Sequence, residues 1–172
     1  SILVEPIKES FLQLKENYKN VNNVELENSA ISIDQEISFL YKVDSKFEKK
    51  YGSHIPAIPS FDKKHLINHG VKSKHIIKEK INTISIQNLL NKYKVDTLDL
   101  FFVDAEGYDG KIIYDLLSST NFEPFIIFEY IHIENSFFEK LNKKLIDRNY
   151  LFFAVEENMF CLPENKNFLN KR

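Results

Sequence analysis

The chain has 172 residues, a formal net charge of -2 and 43% hydrophobic residues, with fifteen Phe and no Trp. This is one domain's worth of chain with enough apolar side chain for a core, which excludes a disordered polymer. Its near-neutral charge provides no global basic field for nucleic acid or a membrane surface, so neither is expected as a partner.

The single cysteine, Cys161, lies in the apolar stretch Met159-Phe160-Cys161-Leu162 and can form no internal disulfide. Nothing therefore points to secretion, and the thiol reads as a small buried hydrophobe. There is no CxxC or HExxH, and the five His show no zinc-site spacing. No stretch reaches the roughly 20 apolar residues of a membrane span, and no signal-peptide pattern is present. The expectation is a soluble, cytoplasmic protein. One α/β domain over residues 1–165 and a basic tail over 166–172 describe its organisation; the tail, like the basic residues between Lys42 and Lys80, reads as a solvated surface.

Ile2-Leu3-Val4 reads as a strand ended by Glu5-Pro6, and Pro6 suits the first turn of a helix. Ile7, Phe11, Leu14 and Tyr18 recur on one helical face. After the polar break at Asn20 to Asn23, a second strand covers Val24 to Leu26 and runs into Asn28-Ser29-Ala30-Ile31-Ser32. Ile37 to Val43 reads as an extension or a hairpin partner. From Asp44 to Lys80 the pattern dissolves among Gly52, Pro56, Pro59 and Gly70, which predicts a long loop, either a lid or an insertion.

Order returns at Ile81 to Ile84. Ser85 is placed to cap a helix carrying Leu89, Leu90 and Tyr93. The run Leu98-Asp99-Leu100-Phe101-Phe102-Val103-Asp104 reads as a strand buried on both faces. Tyr108-Asp109-Gly110 opens a helix with Ile112, Ile113, Leu116 and Leu117 as its apolar stripe. A strand over 125–131 follows, then a helix capped by Asn135 or Ser136. The end reads as a hairpin, Tyr150 to Val155 and Met159 to Leu162, turning at 156–158. The order implies an α/β fold with crossover helices and an antiparallel close.

Four constellations carry chemistry. Glu5 ends a strand just before a helix, where a carboxylate can accept from both hydroxyls of a ribose. Asn28-Ser29-Ala30 ends the next strand, and its small residues leave room for a flat ring. Asp104-Ala105-Glu106-Gly107 places two carboxylates at the end of an apolar run. Such a pair pushes one pKa upward, as a general base needs, and could also bind Mg2+. In Glu129-Tyr130-Ile131-His132, a further acid ends the adjacent strand, with a histidine placed to shuttle protons near neutral pH. Each of these also has an ordinary structural reading as a cap, a turn or a surface side chain.

With these residues in view, the chain resembles the FkbM family of S-adenosylmethionine-dependent methyltransferases from Ile2 to about Leu162. The resemblance rests on Val4-Glu5-Pro6 with the Phe11/Leu14/Asn17 helix, Asn28-Ser29-Ala30-Ile31-Ser32, Gly52-Ser53, Thr83 before Leu89-Leu90, Glu129 and Asn149-Tyr150. Above all it rests on the strand 98–103 leading into Asp104-Ala105-Glu106-Gly107, similar to the family's Asp-x-Glu-Gly signature. Tyr108-Asp109 departs from the usual small or apolar residue followed by Glu.

The resemblance implies a Rossmann-like, mostly parallel sheet and methyl transfer to a hydroxyl of a sugar or another small natural product. It implies that Glu5 and Pro6 hold the cofactor ribose, that Asn28, Ser29 and Ala30 lie near adenine, and that Asp104, Glu106, Glu129 and His132 line the reaction crevice. Asp104 or His132 is the expected base, with Mg2+ assistance open. The acceptor is expected to be a small molecule or carbohydrate, and homo-oligomerisation is left open. The family's first strand and its glycine-rich loop have no counterpart before Ile2. Three explanations compete: a fragment, a strand supplied by another chain, or a sheet that has closed the gap by pairing 2–4 with 98–103. A non-catalytic methyltransferase-like binding or assembly module is the alternative function, and a nicotinamide-dependent oxidoreductase ranks below both.

Overall fold

The computed structural model describes residues 1–33, 38–52 and 58–164. The chain divides into two compact units, Ser1–Lys94 and Val95–Arg172. The basic tail 166–172 and residues Ile37, Ser53 and Pro56, named above, lie outside the described residues.

The first unit begins with the predicted strand–helix–strand. β1 (Ile2–Val4) pairs in parallel with β2 (Glu25–Glu27), Leu3 opposite Leu26, and α1 (Lys8–Tyr18) connects them. Ile7, at the N-cap of α1, is buried, whereas Phe11 and Leu14 are only half-buried. The short β3 (Ala30–Ile31) pairs in parallel with β6 (Thr83–Ile84). β4 (Ser38–Val43) pairs antiparallel with β5 (Ile76–Ile81), so the hairpin-partner reading of the 37–43 stretch holds.

The long loop expected over 44–80 is instead built structure. It holds a 3-10 turn at Glu48–Lys50, α2 (Lys63–Asn68), a second 3-10 turn at Ser73–His75 and most of β5. Asp62 caps α2 by accepting from the Lys64 amide at 2.8 Å. Val43, Ile58, Leu66 and Val71 form a core there, with Tyr41, Phe47, Tyr51 and Ile76 packed on it. The apolar residues of this core are isolated among Lys, Gly and Pro, so no period of 2 or 3.6 marks them in the sequence. α3 (Ile86–Lys92) starts as predicted, with Ser85 Oγ accepting from the Asn88 amide at 3.2 Å and Leu89 and Leu90 buried.

The second unit is a mixed four-stranded sheet with the order β7-β8-β10-β9. β7 (Leu100–Val103) and β8 (Phe125–Glu129) run parallel and are linked by α4 (Asp109–Ser119). α5 (Asn135–Asp147) leads to the hairpin of β9 (Tyr150–Val155) and β10 (Asn158–Pro163). The turn is shorter than expected, because Asn158 already pairs with Val155 and Glu156 takes the left-handed conformation at φ 53°. Glu134, one residue earlier than expected, occupies the N-cap of α5, and Ser136 Oγ donates to its carboxylate at 2.8 Å.

One face of this sheet carries Val103, Ile126, Phe128, Met159 and Cys161, all buried, with Ile112, Ile113, Leu116, Leu117, Leu141 and Leu145 of α4 and α5 in the same core. The other face is a continuous apolar surface. Register aligns Phe102, Ile127, Phe160 and Phe153 in one row across all four strands. Phe102 is 62% exposed, Phe153 53%, Leu100 54% and Leu151 60%. This corrects the reading of 98–104 as a strand buried on both faces: composition reports that both faces are apolar, not that both are covered.

The fold is mixed α/β with an antiparallel close. The pairing of 2–4 with 98–103 that gap closure requires is not among the described pairs; β1 pairs with β2 and β7 with β8. No helix among the described residues is long and apolar enough to cross a membrane.

Candidate active site

The candidate acids of the second unit are positioned by the ends of two parallel strands. Val103 pairs with Phe128, so Asp104 and Glu129 are the next residues along neighbouring strands. The chain then turns sharply: Glu106 and Gly107 are both left-handed, at φ 49° and 90°. This turn lies against the segment after β8, where a side chain at Gly107 would come into ordinary contact with the His132 carbonyl oxygen at 3.4 Å; the left-handed backbone, which side chains disfavour, is what calls for glycine. The fourth constellation lies on that segment. His132 Nε2 is 3.7 Å from Glu129 Oε2, an ion-pair distance when the ring is protonated but longer than a hydrogen bond.

The Glu129 carboxyl is strongly perturbed. Burial first, then the charges of Glu106, Asp104, Asp109 and Glu157, push it up to about 7. Asp104 is also raised, by partial burial of its carboxyl and then by Glu106, with His132 opposing. The sequence reading placed Asp104, Glu106, Glu129 and His132 together, and the strand ends do bring them into one neighbourhood. It did not anticipate Asp109. That side chain is fully buried, and its two oxygens accept from the amides of Ala105 and Gly107, each at 3.2 Å. Burial pushes it up to about 6, against the pull of these backbone hydrogen bonds. The signal available in sequence was an acid two residues past a glycine at a helix start, which also describes an ordinary first-turn acid.

The candidate cofactor residues belong to the first unit. Glu5 follows β1 and is half-buried; its Oε1 accepts from the Ile7 amide at 2.7 Å, and burial raises its pKa. Asn28 Nδ2 donates to the carbonyls of Glu5 at 2.9 Å and Pro6 at 3.2 Å, which ties the end of β2 to the turn after β1. The arrangement suits a ribose: a carboxylate acceptor, held in place, at the carboxyl end of a parallel strand. Ser29 and Ala30 turn inward. Ser29 Oγ donates to Glu27 at 2.6 Å, and Ala30 packs with Ile7, Leu40 and Ile81. Any role for these two beside a ring would fall to their backbone.

Sequence reasoning missed Glu27. It is buried at the end of β2 and accepts from Ser29, from Lys92 Nζ at 2.5 Å and from Tyr93 Oη at 2.8 Å. Burial raises its pKa, but the hydrogen bonds from Lys92, Ser29 and Tyr93 outweigh that and leave it lowered. Its main partners lie more than sixty residues away in sequence, and no spacing rule connects them.

No significant match was found among curated proteins or among solved structures. A family model, described as the methyltransferase FkbM domain, matches residues 1–155. That range takes in Glu5, the Asp104–Gly107 turn, Glu129 and His132. The chain belongs to the FkbM methyltransferase domain family.

Proposed function

We propose that this chain is an S-adenosylmethionine-dependent O-methyltransferase acting on a hydroxyl group of a sugar or another small natural product, with Glu129 as the group that takes the proton. The single observation that carries the proposal is the Glu129 carboxyl, pushed up to about 7 at the end of β8 with His132 beside it, in a chain of this family. A base is most useful when its pKa lies near the working pH, and few carboxylates meet that condition.

Bound S-adenosylmethionine supplies an already activated sulfonium methyl. The tasks left to the chain are binding, alignment and proton removal. Glu5 accepts from the ribose hydroxyls, with Pro6 and Asn28 holding its backbone, and the Asn28-Ser29-Ala30 segment serves the adenine. The acceptor hydroxyl gives its proton to Glu129, burial and then the charges of Glu106 and Asp104 keep that carboxylate basic, and His132 relays the proton onward. The same reading carries a Rossmann-like arrangement of strands, a cytoplasmic setting and a small-molecule or carbohydrate acceptor.

A second reading has one observation in its favour. The sheet face carrying Phe102 and Phe153 is apolar and exposed, as expected of a non-catalytic binding or assembly module. Calorimetric titration with S-adenosylmethionine and with its demethylated product separates the two. The methyltransferase reading predicts saturable binding of both, weakened at least tenfold by Glu5→Gln. Absence of binding by either ligand would favour the module.

A further inference from the structure

We propose that Asp109 is a positioning residue of this site: its buried carboxylate bridges the amides of Ala105 and Gly107, locks the left-handed turn between them, and so sets where Glu106 stands relative to Glu129 and His132. This rests on the reading of Glu129 as the proton acceptor and adds the element that holds its surroundings in shape.

The geometry is specific. Two consecutive left-handed residues are uncommon, and for Glu106 the conformation is unfavourable without outside support. Asp109 gives that support from the first turn of α4, with Oδ1 on the Ala105 amide and Oδ2 on the Gly107 amide. The turn is closed further by the Tyr108 amide donating to the Ala105 carbonyl at 3.0 Å. Gly107 lies against His132, so the clamp on Gly107 also bears on the histidine segment. A carboxylate suits the role because both of its oxygens accept; an amide at the same place would offer one acceptor and turn a donor toward an N–H.

The charge that acts on Asp109 is that of Asp104 after β7, and Asp109 in turn acts on Glu129 at the end of β8, beside Glu106 and Asp104 and with Glu157 of the β9–β10 turn. Asp109 is therefore coupled to the site twice, through the turn it holds and through its charge.

The test uses the intact 172-residue chain and amide-resolved NMR. In the wild type, the Ala105 and Gly107 amide resonances should titrate together with a midpoint near 6, and in Asp109→Asn this shared step should vanish. The same variant should speed hydrogen exchange at Gly107 at least tenfold while amides in the middle of α5 keep their protection. The Glu129 midpoint should fall, because one of the charges that raises it is gone. Unchanged Gly107 exchange and an unchanged Glu129 midpoint in a folded Asp109→Asn protein would overturn the proposal. If that variant does not fold, the wild-type titration decides alone: separate midpoints for Ala105 and Gly107, or none, would overturn it. None of these readouts needs turnover. Failure of the wild type to transfer methyl groups would overturn the functional reading, while the amide data would still decide the role of Asp109.

Discussion

Glu129 Oε2 and His132 Nε2 stand 3.7 Å apart at the end of β8, three residues apart in the chain. The separation leaves them coupled by charge rather than tied by a hydrogen bond. An acid raised to about 7 stands beside an imidazole that can take its proton.

The first prediction concerns this pair. Glu129→Gln keeps the shape and removes the basic oxygen, so methyl transfer should fall by about 10²–10⁴-fold, the usual contribution of a general base. His132→Gln should cost less. Steady-state kinetics with the best hydroxyl acceptor, read as kcat and KM separately, checks both. The assignment fails if Glu129→Gln retains full kcat.

A second prediction follows from linkage. Glu129 and Asp109 both have folded-state pKa values above their ordinary ones, about 7 and about 6. The stability they confer when protonated is fully present below the ordinary carboxyl range and is lost as pH rises through 6 and 7. The protein should be more stable at pH 5.5 than at pH 8, by about 2 kcal/mol from Glu129. Denaturant midpoints at the two pH values test this, and Glu129→Gln should remove most of the difference. Equal slopes for wild type and variant would contradict it.

Glu27 titrates in the opposite sense. Its folded-state pKa is lowered, so its contribution is present above the ordinary Glu value and is lost as pH falls. Glu27→Ala leaves Lys92, Tyr93 and Ser29 without their shared acceptor and should destabilise the first unit by about 2–4 kcal/mol. Hydrogen exchange at Leu3 and Leu26, paired across β1 and β2, should report the loss while amides in α5 stay protected.

Arg148 supports the second unit in a way that resembles nothing in the sequence pattern. Its guanidinium donates to the carbonyls of Leu117, Thr120 and Phe122 at 3.0, 3.0 and 3.2 Å, which satisfies the end of α4 and the loop after it. Arg148→Met should cost about 2–4 kcal/mol in thermal or denaturant unfolding. Arg148→Lys should recover only part, since an ammonium cannot reproduce the planar fork.

The legible parts of the fold were those with a regular period or a punctuating residue. β1, α3 with its Ser85 cap, the Ile112/Ile113/Leu116/Leu117 stripe and the closing hairpin all carry such marks. Residues 44–80 carry none: Val43, Ile58, Leu66 and Val71 meet only in the folded chain. The acids of the site were legible because apolar runs lead directly to them. Asp109 and Glu27 were not, because their importance lies in burial and in partners that spacing cannot reveal. β7 shows the converse error, since its unbroken apolar run hides the exposure of Leu100 and Phe102.

The most direct measurement is a carbon-detected NMR titration of the Glu129 side-chain carboxyl in the intact chain, assigned by Glu129→Gln. The account predicts a midpoint near 7, moving toward the ordinary carboxylate range when Asp104 and Glu106 are replaced together by their amides. A midpoint between about 4 and 5 in the wild type would contradict it, because an ordinary solvated glutamate there cannot be the proton acceptor proposed.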